Sequence, residues 1–207
     1  MHEIHFALKK LAAFLLFFLF SYLVIAQEES GFQEYKSFWN KTDLEFKDPE
    51  KSPLPENEID DFDSVPRYDF NPDFLVNAEW IPVDNSKPFY FKTTGEIKQK
   101  YRKIGLAKFT LMGKDFELSV FRNLQLSRIE AYKDYLFIPY TDETNGFETY
   151  GGGKYISLHA QPTDSIVIDF NQSYNPYCAY NDSYSCPIPP EENFLRIAIP
   201  AGAKSDH

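Results

Sequence analysis

Positive charge, histidine, cysteine and glycine are all scarce in this 207-residue chain. Lysine and arginine number 21 against 31 acidic residues, for a formal charge of −10. That balance argues against nucleic acid and anionic membrane surfaces, which recruit proteins through basic patches. Of four histidines, His2 and His5 precede the first apolar run and His207 closes the chain, which leaves His159 inside the folded region. His159 alternates with Tyr155 and Ser157, opposite Ile156 and Leu158, and reads as a surface or hydrogen-bonded structural residue. No serine sits in a nucleophile-elbow sequence, so a histidine-dependent triad has little to stand on. Two cysteines and one distant histidine do not make a zinc site of recognisable spacing. The run Gly151–Gly153 lacks the Lys-Ser/Thr ending and following helix of a phosphate loop. No cofactor is expected, and no internal repeat or low-complexity tract is present.

One long hydrophobic run is present. Lys9 and Lys10 lead into an apolar stretch from Leu11 to Ile25, at whose end Val24 and Ala26 occupy the small-residue positions of a signal-peptidase site. The run is short for a membrane anchor, so residues 1–26 read as an export signal with Gln27 as the first mature residue. The mature product is then periplasmic or secreted, without a stable membrane anchor. What remains, residues 27–207, suits a single β-rich domain.

Phe32, Tyr35, Phe38, Trp39 and Phe46 recur at largely helical spacing, which predicts an amphipathic N-terminal helix over 32–46. The acidic, proline-rich stretch 47–73 resembles a linker in composition. Leu54, Ile59, Phe62, Val65 and Phe70 nevertheless recur through it, so it reads as a short helix near 56–62 and an extended segment packed on the domain. From residue 74 the period becomes two. Gly105, Ala107, Phe109 and Leu111 alternate with polar partners, and after a turn at Gly113 so do Phe116, Leu118 and Val120. Further strands are expected at 75–83, 88–93, 134–140, 154–160, 165–170 and 194–199. The fold class is mainly β: an antiparallel barrel or sandwich of about eight strands with an N-terminal helix.

Two segments concentrate unusual chemistry. Cys178 and Cys186 lie in a loop of Tyr, Asn, Ser and Pro, and in an oxidising compartment this spacing reads as a structural disulfide. The second segment is "YTDETNGFETYGGGKY", residues 140–155, whose glycines admit a close approach of another strand or of a ligand. Strands 154–160 and 165–170, joined by "QPTD", are expected to pair as a hairpin. That pairing would bring 148–153 and 171–175 to one end of the sheet. Glu148, Tyr150, Gly151, Gly152, Gly153, Asn171, Tyr174 and Asn175 are accordingly predicted to line one pocket, with the cysteine loop as its wall.

The segments "ETYGGGKYISL", "VIDFNQSYNPYCAY" and "CPIPPEENFLRIAIPAGAK" resemble signature stretches of the domain-of-unknown-function family 1684. Upstream, "KSPL" and "GLAKFTLMGKDFELSVF" are similar to its N-terminal part. The resemblance implies a bacterial, often exported domain and carries no activity with it. Where the family commonly has arginine after the triple glycine, this chain has Lys154, which weakens any role there that needs a bidentate fork.

Nine of the fourteen tyrosines fall between Tyr132 and Tyr184. A flat apolar ring with a polar tip suits a polar small molecule, a glycan or a peptide, so the leading expectation is a ligand-binding β domain. The alternative is a metal-independent hydrolase using Glu148 and Asp169 as acid and base.

Overall fold

Alternating apolar and polar residues from residue 75 onward generate eight strands in the computed structural model, which describes residues 28–205. They are β1 (Leu75–Pro82), β2 (Phe89–Tyr90), β3 (Lys100–Leu111), β4 (Lys114–Asn123), β5 (Tyr135–Asp142), β6 (Lys154–His159), β7 (Ser165–Asp169) and β8 (Phe194–Leu195). A helix, α1, occupies residues 28–47. The apolar run and the expected cleavage site lie outside the described residues. Among those described, no helix is long and apolar enough to cross a membrane.

The strands curl into a half-barrel in the order β6-β5-β4-β3-β1-β7, with β2 added beside β3 and β8 beside β5. All pairs are antiparallel except β5 with β8. The hairpin of β3 and β4 is the longest ladder, running from Tyr101 opposite Asn123 to Leu111 opposite Lys114. Its register shifts between Lys103 and Gly105, where the sheet passes under an indole. A Cβ on Gly105 would stand 2.2 Å from the Trp80 ring, so only glycine fits that position.

The concave face carries an aliphatic core. Ala78, Ala107, Leu118, Val120, Leu136, Ile138, Ile156 and Ile168 are buried there with Trp80, Phe109 and Tyr140. Leu195, Ile197, Ile199 and Ala201 fill the interior from the C-terminal segment. The expected strand 194–199 keeps its alternation of buried and exposed residues, but only Phe194 and Leu195 join a ladder. Glu143 N–H donates to Ile197 O, and side chains satisfy further backbone groups. Ile199 N–H donates to Asp142 Oδ1 at 3.2 Å, and Lys154 Nζ donates to the carbonyls of Ile199 and Ala201 at 3.0 and 3.2 Å. Lys154 also lies 3.2 Å from Asp142 Oδ2, with both side chains wholly buried. Burial draws the lysine pKa downward against the opposing pull of Asp142.

The expected hairpin of 154–160 with 165–170 does not form. Strand β6 pairs with β5 and strand β7 with β1, at opposite ends of the sheet order. Ala160 extends the β5 pairing by donating to Asp134 O, and Asp164 extends the β1 pairing by accepting from Trp80 N–H. The chain between them therefore spans the slit of the half-barrel instead of turning tightly. The free edge of β6 is taken from beyond β7: Tyr155 and Tyr174 exchange two backbone hydrogen bonds, at 2.9 and 3.0 Å.

Candidate functional site

The convex face of β3–β6 is aromatic where the concave face is aliphatic. Tyr101, Phe121, Phe137 and Tyr155 are buried there with Phe91, which follows β2. Helix α1 lies across this face, positioned by Trp39, whose Nε1 donates to Asn171 O at 3.0 Å. Asp43, one turn further along the same face, secures the helix through a bidentate pair with Arg67, at 2.9 and 2.8 Å, and accepts from Val65 N–H. The loop 174–187 closes a third side. Isolated pairing of Thr93 with Pro187, and bonds from Thr94 N–H to Cys186 O and from Ile188 N–H to Lys92 O, tie it to the strand after β2.

Between helix, sheet and loop lies a cavity of about 450 Å³. Among the described residues 24 line it; twelve are Phe, Tyr or Trp and Glu45 is the only charged one, so these walls are aromatic and bear no cation. Phe137, Tyr101 and Tyr155 form the floor; exposed Ile97 and Tyr177 mark the rim. Ser157 sits between two phenols, 2.8 Å from Tyr135 Oη and 2.5 Å from Tyr174 Oη, which makes a line of three hydroxyls along one wall. Tyr155 Oη donates to Pro187 O, fastening the loop to the floor. Burial raises the pKa of Tyr135, Tyr155 and Tyr174, and pushes Tyr101 up to about 12. These phenols are neutral hydrogen-bonding groups at physiological pH.

Of the eight residues expected to line one pocket, Tyr174 and Asn175 line this cavity. Glu148 is exposed and accepts from Tyr68 Oη at 2.6 Å, while its carbonyl accepts from Ser205 N–H. The Tyr150 hydroxyl stands 3.8 Å from Cys178 Sγ, and Gly151 and Gly152 lie on an exposed turn. Gly153 has φ +90°, and a Cβ there would meet Tyr140 O at 2.6 Å and Pro189 at 2.8 Å. The close approach it permits is of chain to chain. Asn171 is wholly buried and clamps the Asn71 backbone, accepting from N–H at 2.9 Å and donating to the carbonyl at 3.0 Å. Asp169 accepts from Asn171 and Gln172, and desolvation raises its pKa. Glu148 and Asp169 are thus each spent on their own partners, and neither lines the cavity.

Cys178 and Cys186 are adjacent as thiols. Cys178 N–H donates to Cys186 Sγ at 3.2 Å, and Cys186 forms part of the cavity wall. The hydrogen bond between the two sulfurs pushes Cys178 down to about 6 and Cys186 up. Among the described residues no group of three metal-ligating side chains occurs.

Sequence reasoning missed the cavity because it sought polar loops. The signal lay in "YLFIPY", residues 135–140, an unbroken apolar run in which both faces of a strand must be covered. Leu136 and Ile138 face the core while Phe137 faces α1 and the cavity. The aromatic stripe on the helix, Phe38, Trp39 and Phe46, supplies that cover.

Taken together, fold and cavity define a β half-barrel with an aromatic pocket on its outer face, roofed by an N-terminal helix. The chain belongs to the family described as protein of unknown function DUF1684, whose model matches residues 60–204. A solution NMR structure of an uncharacterised protein of Haloarcula marismortui is similar, with 32% sequence identity and a TM-score of 0.70; the match covers 87% of this chain and 97% of that one. No curated protein matches.

Proposed function

We propose that this protein is a binding module for a small, largely apolar or aromatic ligand held in the cavity between α1 and the convex face of the sheet. The carrying observation is the cavity itself: about 450 Å³, half of its lining aromatic, with neutral hydroxyls along one wall. That composition, apolar walls with a few placed polar groups, is the usual make-up of a small-molecule site. A hydrolase reading has no comparable support, because Glu148 and Asp169 lie outside the cavity. Binding is read with the neutral dye N-phenyl-1-naphthylamine, whose fluorescence rises on burial. Thr42→Trp, on the helix face lining the cavity, should fill the space and abolish the signal. Leu44→Trp, on the exposed face, should leave it. Equal dye binding by both variants would refute the cavity as the site.

The same reading takes the protein as exported, on the strength of Lys9, Lys10 and the apolar run that ends at Ala26. In that compartment Cys178 and Cys186 close as a disulfide that holds the cavity wall. N-terminal sequencing of the exported product should begin at Gln27; Met1 retained in a membrane fraction would overturn the export reading.

A further inference from the structure

We infer that the cavity's ligand carries a protonated amine on its apolar body. This inference rests on the binding reading above and adds the charge of the ligand. Among the described residues no lysine, arginine or histidine lines the cavity, so an anionic ligand would lose its hydration with no cation to receive it. The one charged lining group is Glu45, a carboxylate in the last turns of α1. Its neighbour Lys41 approaches only to 3.8 Å, with both side chains solvated, so the carboxylate is weakly neutralised. Aromatic rings present negative faces, and a cavity walled by twelve of them attracts a cation that has shed its water.

An orphaned acceptor points the same way. Asn175 lines the cavity and is 4% exposed, and its Oδ1 is buried without a hydrogen-bond partner. The orientation of the amide is set from its other end, where Nδ2 donates to Lys204 O at 3.0 Å and to Tyr180 Oη at 3.3 Å. A buried carbonyl oxygen without a partner is costly, and a small turn of the amide toward the cavity would let a ligand donor satisfy it. An ammonium meets all three features at once, giving N–H to Asn175 and positive charge to the rings and Glu45. A neutral hydrocarbon meets only the rings.

The test uses the purified protein and two dansylated probes of nearly equal shape, dansylcadaverine and its N-acetyl derivative, titrated calorimetrically at neutral pH in physiological salt. The free amine should bind about tenfold more tightly than the acetylated probe, and Glu45→Gln should bring the two within about threefold of each other. Equal affinities, or tighter binding of the acetylated probe, would overturn the amine assignment while leaving the cavity reading intact. An amine preference that survives Glu45→Gln would overturn it too, since the acidity of the whole surface would then be its source. Failure of both probes to bind would remove the cavity reading together with this one.

Discussion

The two faces of one sheet have been filled by different means. On the concave face, aliphatic side chains interdigitate and the C-terminal segment is threaded in to complete them. Leu136, Ile138 and Ile199 are there with no exposed surface. On the convex face, aromatic rings stand edge to face: Phe91 against Phe121 at 4.9 Å, and Phe137 against Tyr155 at 4.8 Å. Branched aliphatics pack to high density by interlocking. Flat, stiff rings held in edge contacts, and roofed by a helix tied down at Trp39 and Asp43, leave space between them. On the proposed binding role, stability and recognition are assigned to opposite sides of the same strands.

The largest effect should come from the interior ion pair. Lys154→Met leaves Asp142 buried without its cation and the carbonyls of Ile199 and Ala201 without their donor. A loss of about 3–5 kcal/mol in urea-unfolding free energy is expected. Replacing both partners together, Lys154→Met with Asp142→Leu, should recover much of that loss. A single variant as stable as the parent would mean that the C-terminal segment is held by its apolar contacts alone.

The comparison of faces is sharpened by a matched pair of truncations. Leu136→Ala, at a wholly buried concave position, should cost about 2–5 kcal/mol. Tyr177→Ala, at the 40% exposed rim, should cost under about 1 kcal/mol yet weaken dye binding severalfold. If Tyr177→Ala destabilises as much as Leu136→Ala, the convex face is a second core and the division of labour fails.

The smallest effect concerns the cysteine loop. Native exported protein should resist alkylation until it is reduced. In the reduced protein the Cys178 thiol, pushed down to about 6 by its partner, ionises as pH rises through that value. Its alkylation by iodoacetamide should therefore be near its plateau at pH 7 and fall steeply below about 6. Cys186→Ser should move that midpoint upward, toward an ordinary thiol. A midpoint unchanged by Cys186→Ser would show that the two sulfurs do not share a proton.

Much of this molecule is written in periodicities. The stripe Phe32, Tyr35, Phe38, Trp39 and Phe46 marks α1, and the alternation in 105–111 and 116–120 marks both strands of the longest hairpin. The turn at Gly113 and the inward face of Leu195, Ile197 and Ile199 follow from the same kind of local pattern. Spacing along the chain decides which side chains share a face, and it requires no knowledge of a partner. Partners are another matter. Tertiary structure alone placed β6 beside β5 and gave its other edge to Tyr174, and it satisfied backbone groups of Ile199 and Ala201 with Lys154 and Asp142. It also turned the conspicuous polar residues Glu148 and Asn171 into fasteners, the first on the surface with Tyr68 and the second in the interior with Asn71, and it roofed the cavity with a helix distant in the chain from its floor. A strand edge or a buried carbonyl accepts any donor brought to it. Which donor arrives depends on how the whole sheet curls, and no short stretch of sequence carries that information.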